Sequence, residues 1–247
     1  MTTRGPVVDT ESAREFMRET LQQIGPAELD AIAEELARKH AGFRALLGAS
    51  RRTALAEPEL RRLLRSVFAT RRRVGELLAR PGAAALASWI EALLRGREPL
   101  PARFQAFCDR LADAPESVRY DLAAELLHYV EPERYWLWTR WVWDPRTRTG
   151  ALPLVTMEEY DLDAPSLGEA YLRVGQAIAF VHETGQAAGF TRIGEGPFGV
   201  DVYLACVYCV YVYTTVRLRM TQEFNRVIPP LPELCRRVLG VYRMELP

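Results

Sequence analysis

The sequence predicts an all-α fold, or one nearly so: a multi-helix bundle with a short irregular or β-like connector around 144–165. Three observations predict it. Apolar residues recur at near-helical intervals through most of 10–130. Gly and Pro punctuate those runs at helix-length spacing, as at Gly25-Pro26, Pro81-Gly82 and Pro99-Leu-Pro101. The one long uncharged stretch, 202–216, holds no turn residue and exceeds an ordinary strand of about 5–6 residues.

The elements follow in order. Ser12 and Glu15 have capping-box spacing, and Phe16, Leu21 and Ile24 continue the first helical stripe. Pro26 suits the first turn of a second helix, 27–47, with Leu29, Ile32, Leu36 and Phe43 on its apolar face and Gly48 at its end. Pro58 opens a third, 59–80, carrying Leu60, Leu63, Leu64, Val67 and Phe68. A fourth, 83–94, holds Leu86, Trp89, Ile90, Leu93 and Leu94. Phe104, Phe107 and Leu111 mark a fifth, and 115–130 reads as a sixth. Residues 151–156 suit a short strand or an extended segment. Ser166 and Glu169 form a second capping box, opening a helix over 167–186. The glycine-rich 189–199 reads as a loop, and a last short helix covers 232–239.

This order predicts an N-terminal helical layer (1–143), an irregular connector (144–165) and a C-terminal helical part (166–247). The two helical parts are expected to pack as one body, because the chain between them is not linker-like.

Composition narrows the function classes. The hydrophobic share of 49% and the charged share of 26% are those of an ordinary globular chain. The formal net charge is zero, so no global field draws the protein to nucleic acid or membrane, and any charged partner must meet a local patch. Of the 32 Lys and Arg residues, Lys39 is the only lysine. A coding bias toward arginine produces that pattern, and so does selection for bidentate contacts to carboxylate or phosphate. Four cysteines do not make a disulfide scaffold, and the first residues have no apolar core of signal-peptide length. The expectation is a cytoplasmic protein with free thiols.

The stretch 202–216 lacks any charge, yet it is shorter than the roughly 20 residues of a membrane span and contains four tyrosines. It predicts a buried central helix, with no stable membrane insertion. A strand is the alternative that its valines and tyrosines raise. On a helix, Tyr208 and Tyr211 share one face, which an interface with another chain would cover.

Four constellations carry possible chemistry. Cys206-x-x-Cys209 has the spacing of a metal, iron–sulfur or dithiol site, although the pair sits where cysteine also serves as a small hydrophobe. Glu125-x-x-His128 puts a carboxylate and an imidazole on one helix face, as di-metal bundles do, but the chain has no second such motif. Here Glu125 is expected to be the hydrogen-bond partner of His128. No cofactor is predicted from either pair. In 51–80, nine arginines face three glutamates. Arg61, Arg65, Arg71, Arg72 and Arg73 are the candidates for gripping phosphates or an acidic partner. Finally, 131–143 concentrates Trp136, Trp138, Trp141 and Trp143 beside Arg140, a mixture that suits a protein–protein hot spot, base stacking or a core-sealing corner. Within it, Leu126-Leu-His-Tyr-Val-Glu-Pro-Glu-Arg-Tyr135 resembles a phrase of helical DNA-glycosylase-like proteins. The chain lacks the catalytic lysine–aspartate arrangement of that family, and no role follows from the resemblance.

With three histidines and no nucleophile elbow, phosphate loop or HExxH motif, the leading expectation is a non-enzymatic interaction or accessory protein. It would dock to a partner protein, or to a second copy, through Trp136, Trp138, Arg140, Trp141, Trp143, Tyr208 and Tyr211. A nucleic-acid-binding protein using 51–80 is the alternative. A metal or redox protein using Cys206/Cys209 or Glu125/His128 comes third.

Overall fold

A computed structural model describes residues 7–49, 55–189, 196–219, 229–242 and 244, with the side chains of 216–219 left aside. The fold is all-α. Its helices are α1 (Thr10–Gln23), α2 (Pro26–Leu47), α3 (Glu57–Ser66), α4 (Val74–Ala79), α5 (Gly82–Arg95), α6 (Leu100–Arg110), α7 (Glu116–Val130), α8 (Leu167–Ala188), α9 (Gly199–Arg219) and α10 (Leu231–Val238). Among the described residues no strand forms, and no helix is long and apolar enough to cross a membrane.

Contacts divide the chain into two compact units. The first comprises Met1–Leu36, Trp141–Asp161 and Ala177–Tyr242; the second comprises Ala37–Arg140, Leu162–Gln176 and Arg243–Pro247. The division does not follow chain order, and it falls inside both α2 and α8.

The second unit is built around α7. Every residue from Tyr120 to Val130 is buried, so beyond its first turn this helix has no solvent face. A helix buried all round belongs to the centre of a core rather than its edge. The amphipathic α5 and α6 pack on it and on each other, presenting Leu86, Ile90, Leu93, Phe104 and Phe107. The start of α8 approaches the backbone of Pro101 so closely that only a glycine, Gly168, fits there, since a Cβ would overlap the Pro101 carbonyl.

The first unit is built around α9, which packs between α1 and α10. Val200 to Val207, Cys209 and Val210 are buried, whereas Tyr211 is exposed. The predicted apolar helix therefore exists, but its burial ends at Val210, and 211–215 are exposed or half-buried. Tyr203 donates its hydroxyl to the Ala13 carbonyl at 3.0 Å, tying α9 to α1 inside the core.

The connector is irregular, as its sequence predicts. The 151–156 segment makes no strand; it holds one turn of 3₁₀ helix (Leu152–Leu154) and a single antiparallel bridge between Val8 and Thr156. Gly150, at φ +142, lies against the Val142 backbone, where a Cβ has no room.

Two local expectations need correction. The cap of α1 is Asp9, not Ser12. The Asp9 carboxylate accepts the backbone N–H groups of Glu11 and Ser12 at 3.1 Å and the Ser12 hydroxyl at 2.6 Å, while Glu15 pairs with Arg18. The predicted 59–80 helix is two helices with a turn between. At Val67 the backbone is extended, and the Thr70 hydroxyl donates to the Leu64 carbonyl at 2.6 Å, satisfying a group that a continuous helix would have bonded internally. The second capping box holds at its serine, since the Ser166 hydroxyl accepts the Glu169 N–H at 3.2 Å. Part of the glycine-rich loop, 190–195, lies outside the described residues, as do Arg51 and Arg52 of the basic run.

The Ser12 hydroxyl and the Ser12 N–H hold the Asp9 carboxyl below its ordinary range. Asp9→Ala is expected to destabilise the protein by about 1 kcal/mol, and Asp9→Asn by much less. Urea unfolding of the three proteins checks this; an Ala variant as stable as the parent contradicts the cap.

Candidate functional site

Buried α7 carries three charged or polar side chains on one stripe: Asp121, Glu125 and His128. Spacings of four and three residues put them above one another on a helix. Each holds a different piece of the second unit. Asp121 accepts the Arg140 N–H at 2.8 Å. His128 Nδ1 lies 2.7 Å from the Tyr135 carbonyl. These two contacts lay the returning 135–140 segment along the helix.

Glu125 is 2.6 Å from Lys39 Nζ on α2. The nearby His128 adds a favourable charge interaction to the same carboxylate. The lysine is fully buried, with its ammonium 4.2 Å from the Tyr129 ring centroid and 5.9 Å from that of Phe43. Burial pushes the Glu125 carboxyl above its ordinary range, opposed by the attraction and hydrogen bond of Lys39. The neighbouring His40 places Nδ1 2.9 Å from the Tyr129 carbonyl, in the last turn of α7. Two consecutive residues of α2 thus engage two successive turns of α7.

The tryptophans divide between the two units. In the second, Trp138 is fully buried and stacks on Tyr120 at 4.4 Å, with Phe104 at 5.9 Å on the next position of the pile. Tyr171 stacks on Phe104 at 4.5 Å and donates its hydroxyl to the Trp136 carbonyl at 3.0 Å. The half-buried Trp136 ring lies over Gly175. Arg140 is exposed and lies 3.6 Å from Asp121. In the first unit Trp141 and Trp143 are buried, and Trp141 lies 6.4 Å from the half-buried Tyr208. Tyr211 is 39% exposed. Of the seven residues predicted to meet a partner, Trp136, Arg140, Tyr208 and Tyr211 retain accessible surface.

The arginines of 57–80 largely meet their own neighbours. Arg61 pairs with Glu57 at 2.7 Å and Arg73 with Glu76 at 2.8 Å. Arg71 lies 4.4 Å over the Phe68 ring. Arg65 and Arg72 are exposed, but the break after Ser66 takes Arg72 off the stripe that a single helix would have given it.

In the first unit, Cys206 and Cys209 of α9 are joined by Cys235 of α10. The Cys206 and Cys235 sulfurs are 3.8 Å apart, all three residues are buried, and none is in a disulfide. Hydrogen bonds from Cys206 and Cys209, helped by the Arg236 charge, hold the Cys235 thiol well below its ordinary range. Cys206 and Cys209 lie above theirs. Among the described residues no group of three or more His, Cys, Asp or Glu is arranged to hold a metal ion.

The same unit carries a surface groove of about 470 Å³ lined by Arg14, Met17, Arg18, Leu21, Gln22, Ala188 and Gly189. Arg14, Met17, Arg18 and Leu21 follow the i, i+3, i+4, i+7 rule of one helix face. Met17 is buried, whereas Leu21 is 48% exposed.

Sequence reasoning missed Lys39, Asp121 and Cys235 as site residues. Lys39 did stand out as the sole lysine, and Asp121 lies one turn before Glu125 in a run otherwise read as apolar. No family model, curated protein or solved structure matches the chain.

Glu125→Gln provides a pH test. A carboxyl raised in the folded state is ionised more readily in the unfolded one. Stability relative to Glu125→Gln is therefore expected to be greatest at acid pH and to fall as pH rises through the unfolded value toward the folded one. Parallel urea titrations across pH check it; a difference that stays flat or grows with pH contradicts the assigned shift.

Proposed function

We propose that the protein is a docking protein, and that its partner segment lies in the α1 groove. One observation carries the reading: Leu21, the most exposed large apolar side chain among the described residues, lines a concavity together with the buried Met17. Single exposed apolar residues are ordinary on protein surfaces. An exposed leucine lining a concavity beside a buried methionine is the arrangement that takes an anchoring side chain. Arg14 and Arg18 line the same groove, so the complementary segment is an apolar anchor flanked by carboxylates. Arg18 already pairs with Glu15, and a partner carboxylate would compete with that exposed pair at little cost.

This reading keeps the docking function that the sequence favours but relocates its centre. Trp138, Trp141 and Trp143 are buried within this chain. Tyr211 and half-buried Tyr208 remain available as a second contact on the same unit.

The test is a benzophenone amino acid installed at position 21 in the native host, with position 172 as the control. Leu172 is 42% exposed and is not a groove residue. A discrete adduct is expected from position 21 only, reduced several-fold when Arg14→Glu and Arg18→Glu are added. If that adduct is a second copy of the chain, the partner is the protein itself, and light scattering should show a dimer at micromolar concentration. Equal labelling at both positions, or none at position 21 from a monomeric protein, removes the groove as a docking site.

A further inference from the structure

The three thiols of the first unit have no part in the docking reading, and they sit together for a reason that packing alone does not require. Cysteine is a good small hydrophobe, and one or two on α9 would fill space. Here a third arrives on a separate helix, with its sulfur 3.8 Å from that of Cys206. A disulfide needs about 2.05 Å, so rotation of side chains already in contact bridges most of the gap. The helix that brings Cys235 is short, Leu231–Val238. It rests on α9 through buried Leu231 and Cys235, with Leu239 just beyond its end. Arg236 fastens the other side, bonding Glu35 at 2.9 Å and Glu28 at 2.5 Å on α2. Those carboxylates keep α10 in place while its buried face stays thin, and elements with few buried apolar contacts are the ones that open locally.

We infer that Cys235 is an oxidation site and that Cys206 is its resolving thiol, so that a hydroperoxide converts the α9–α10 contact into a covalent staple. The chemistry balances in two steps. The Cys235 thiolate attacks one peroxide oxygen; an S–O bond forms, the O–O bond breaks, and hydroxide leaves, with the sulfur oxidised by two electrons to a sulfenic acid. The Cys206 thiol then attacks that sulfur; the S–S bond forms, the S–O bond breaks, and the leaving hydroxide takes the thiol proton as water. Neighbouring sulfur donors and Arg236 favour the thiolate that begins the sequence, in contrast to Cys108, whose thiol burial pushes far up.

The experiment treats the purified full-length protein, under native conditions, with one equivalent of hydrogen peroxide, followed by an acid quench, alkylation in denaturant and peptide mapping. The expected product has lost two hydrogens and links Cys206 to Cys235, and it forms at least about tenfold faster than any modification of Cys108. Cys206→Ser is expected to stop at a sulfenic acid on Cys235 that dimedone traps, Cys235→Ser to abolish both products, and Cys108→Ser to change nothing. The wild-type map stands even if a variant fails to fold. A link from Cys209 to either other thiol, a link that appears only after denaturation, or oxidation of Cys108 at a comparable rate overturns the assignment.

Discussion

A fully buried ion pair between Lys39 and Glu125 constrains the second unit more than any other contact. Two charges removed from water lose several kcal/mol of hydration each, and they regain it only if the geometry between them is kept. That demand fixes how α2 and α7 may lie. Lys39 must reach Glu125 while its ammonium faces Tyr129, and His40 must meet the Tyr129 carbonyl at the same time. A purely apolar contact would tolerate a sliding register. A lysine–glutamate pair at 2.6 Å does not. The same logic extends along α7. Asp121 and His128 are buried polar groups that need partners, and the 135–140 backbone supplies them. The aromatic pile of Tyr120, Trp138, Phe104 and Tyr171 then fills the space that this arrangement leaves.

The first unit solves its packing differently. The buried half of α9 is nearly all apolar, with Asp201 its buried acid, and its specificity comes from a tyrosine hydroxyl, three thiols and the Arg236 fork on α10. Two of those devices involve the C-terminal α10. The surface groove on α1 belongs to the same unit, so the proposed docking face and the proposed oxidation site share one compact body. Each rests on its own residues, and neither needs the other.

Much of the fold was legible because helix periodicity and proline–glycine punctuation are local signals. The predicted bounds of α2, α5 and α8 lie within about two residues of those observed, as helix ends ordinarily allow. The 59–80 helix failed because Leu77 and Leu78 continue the apolar stripe as if no turn intervened, while the deciding group, the Thr70 hydroxyl, acts through a single contact to Leu64. Ser12 reads as a cap because Glu15 stands three residues on; Asp9, three residues earlier, does the capping. The tryptophan segment could not be assigned to core or surface by composition, since an interface and an interior use the same side chains. What buried Trp138 was the polar stripe on α7 beside it. Cys235 carries no sequence signal, because it lies 29 positions from Cys206 in the chain, a separation no spacing rule spans. In the sequence Lys39 stands out only as the sole lysine. A bias toward arginine explains the arginines; it does not explain why the one lysine occupies a fully buried site, where a slim stem and compact ammonium fit and a planar guanidinium is a different shape.

The most direct test of the Lys39–Glu125 constraint is a double-mutant cycle by urea unfolding on Lys39→Met, Glu125→Leu and the double variant. Each single change leaves one charge buried without its partner and is expected to cost about 3–5 kcal/mol, while the double variant recovers most of that loss. Single variants within about 1 kcal/mol of the parent, with losses that simply add in the double variant, would contradict the account.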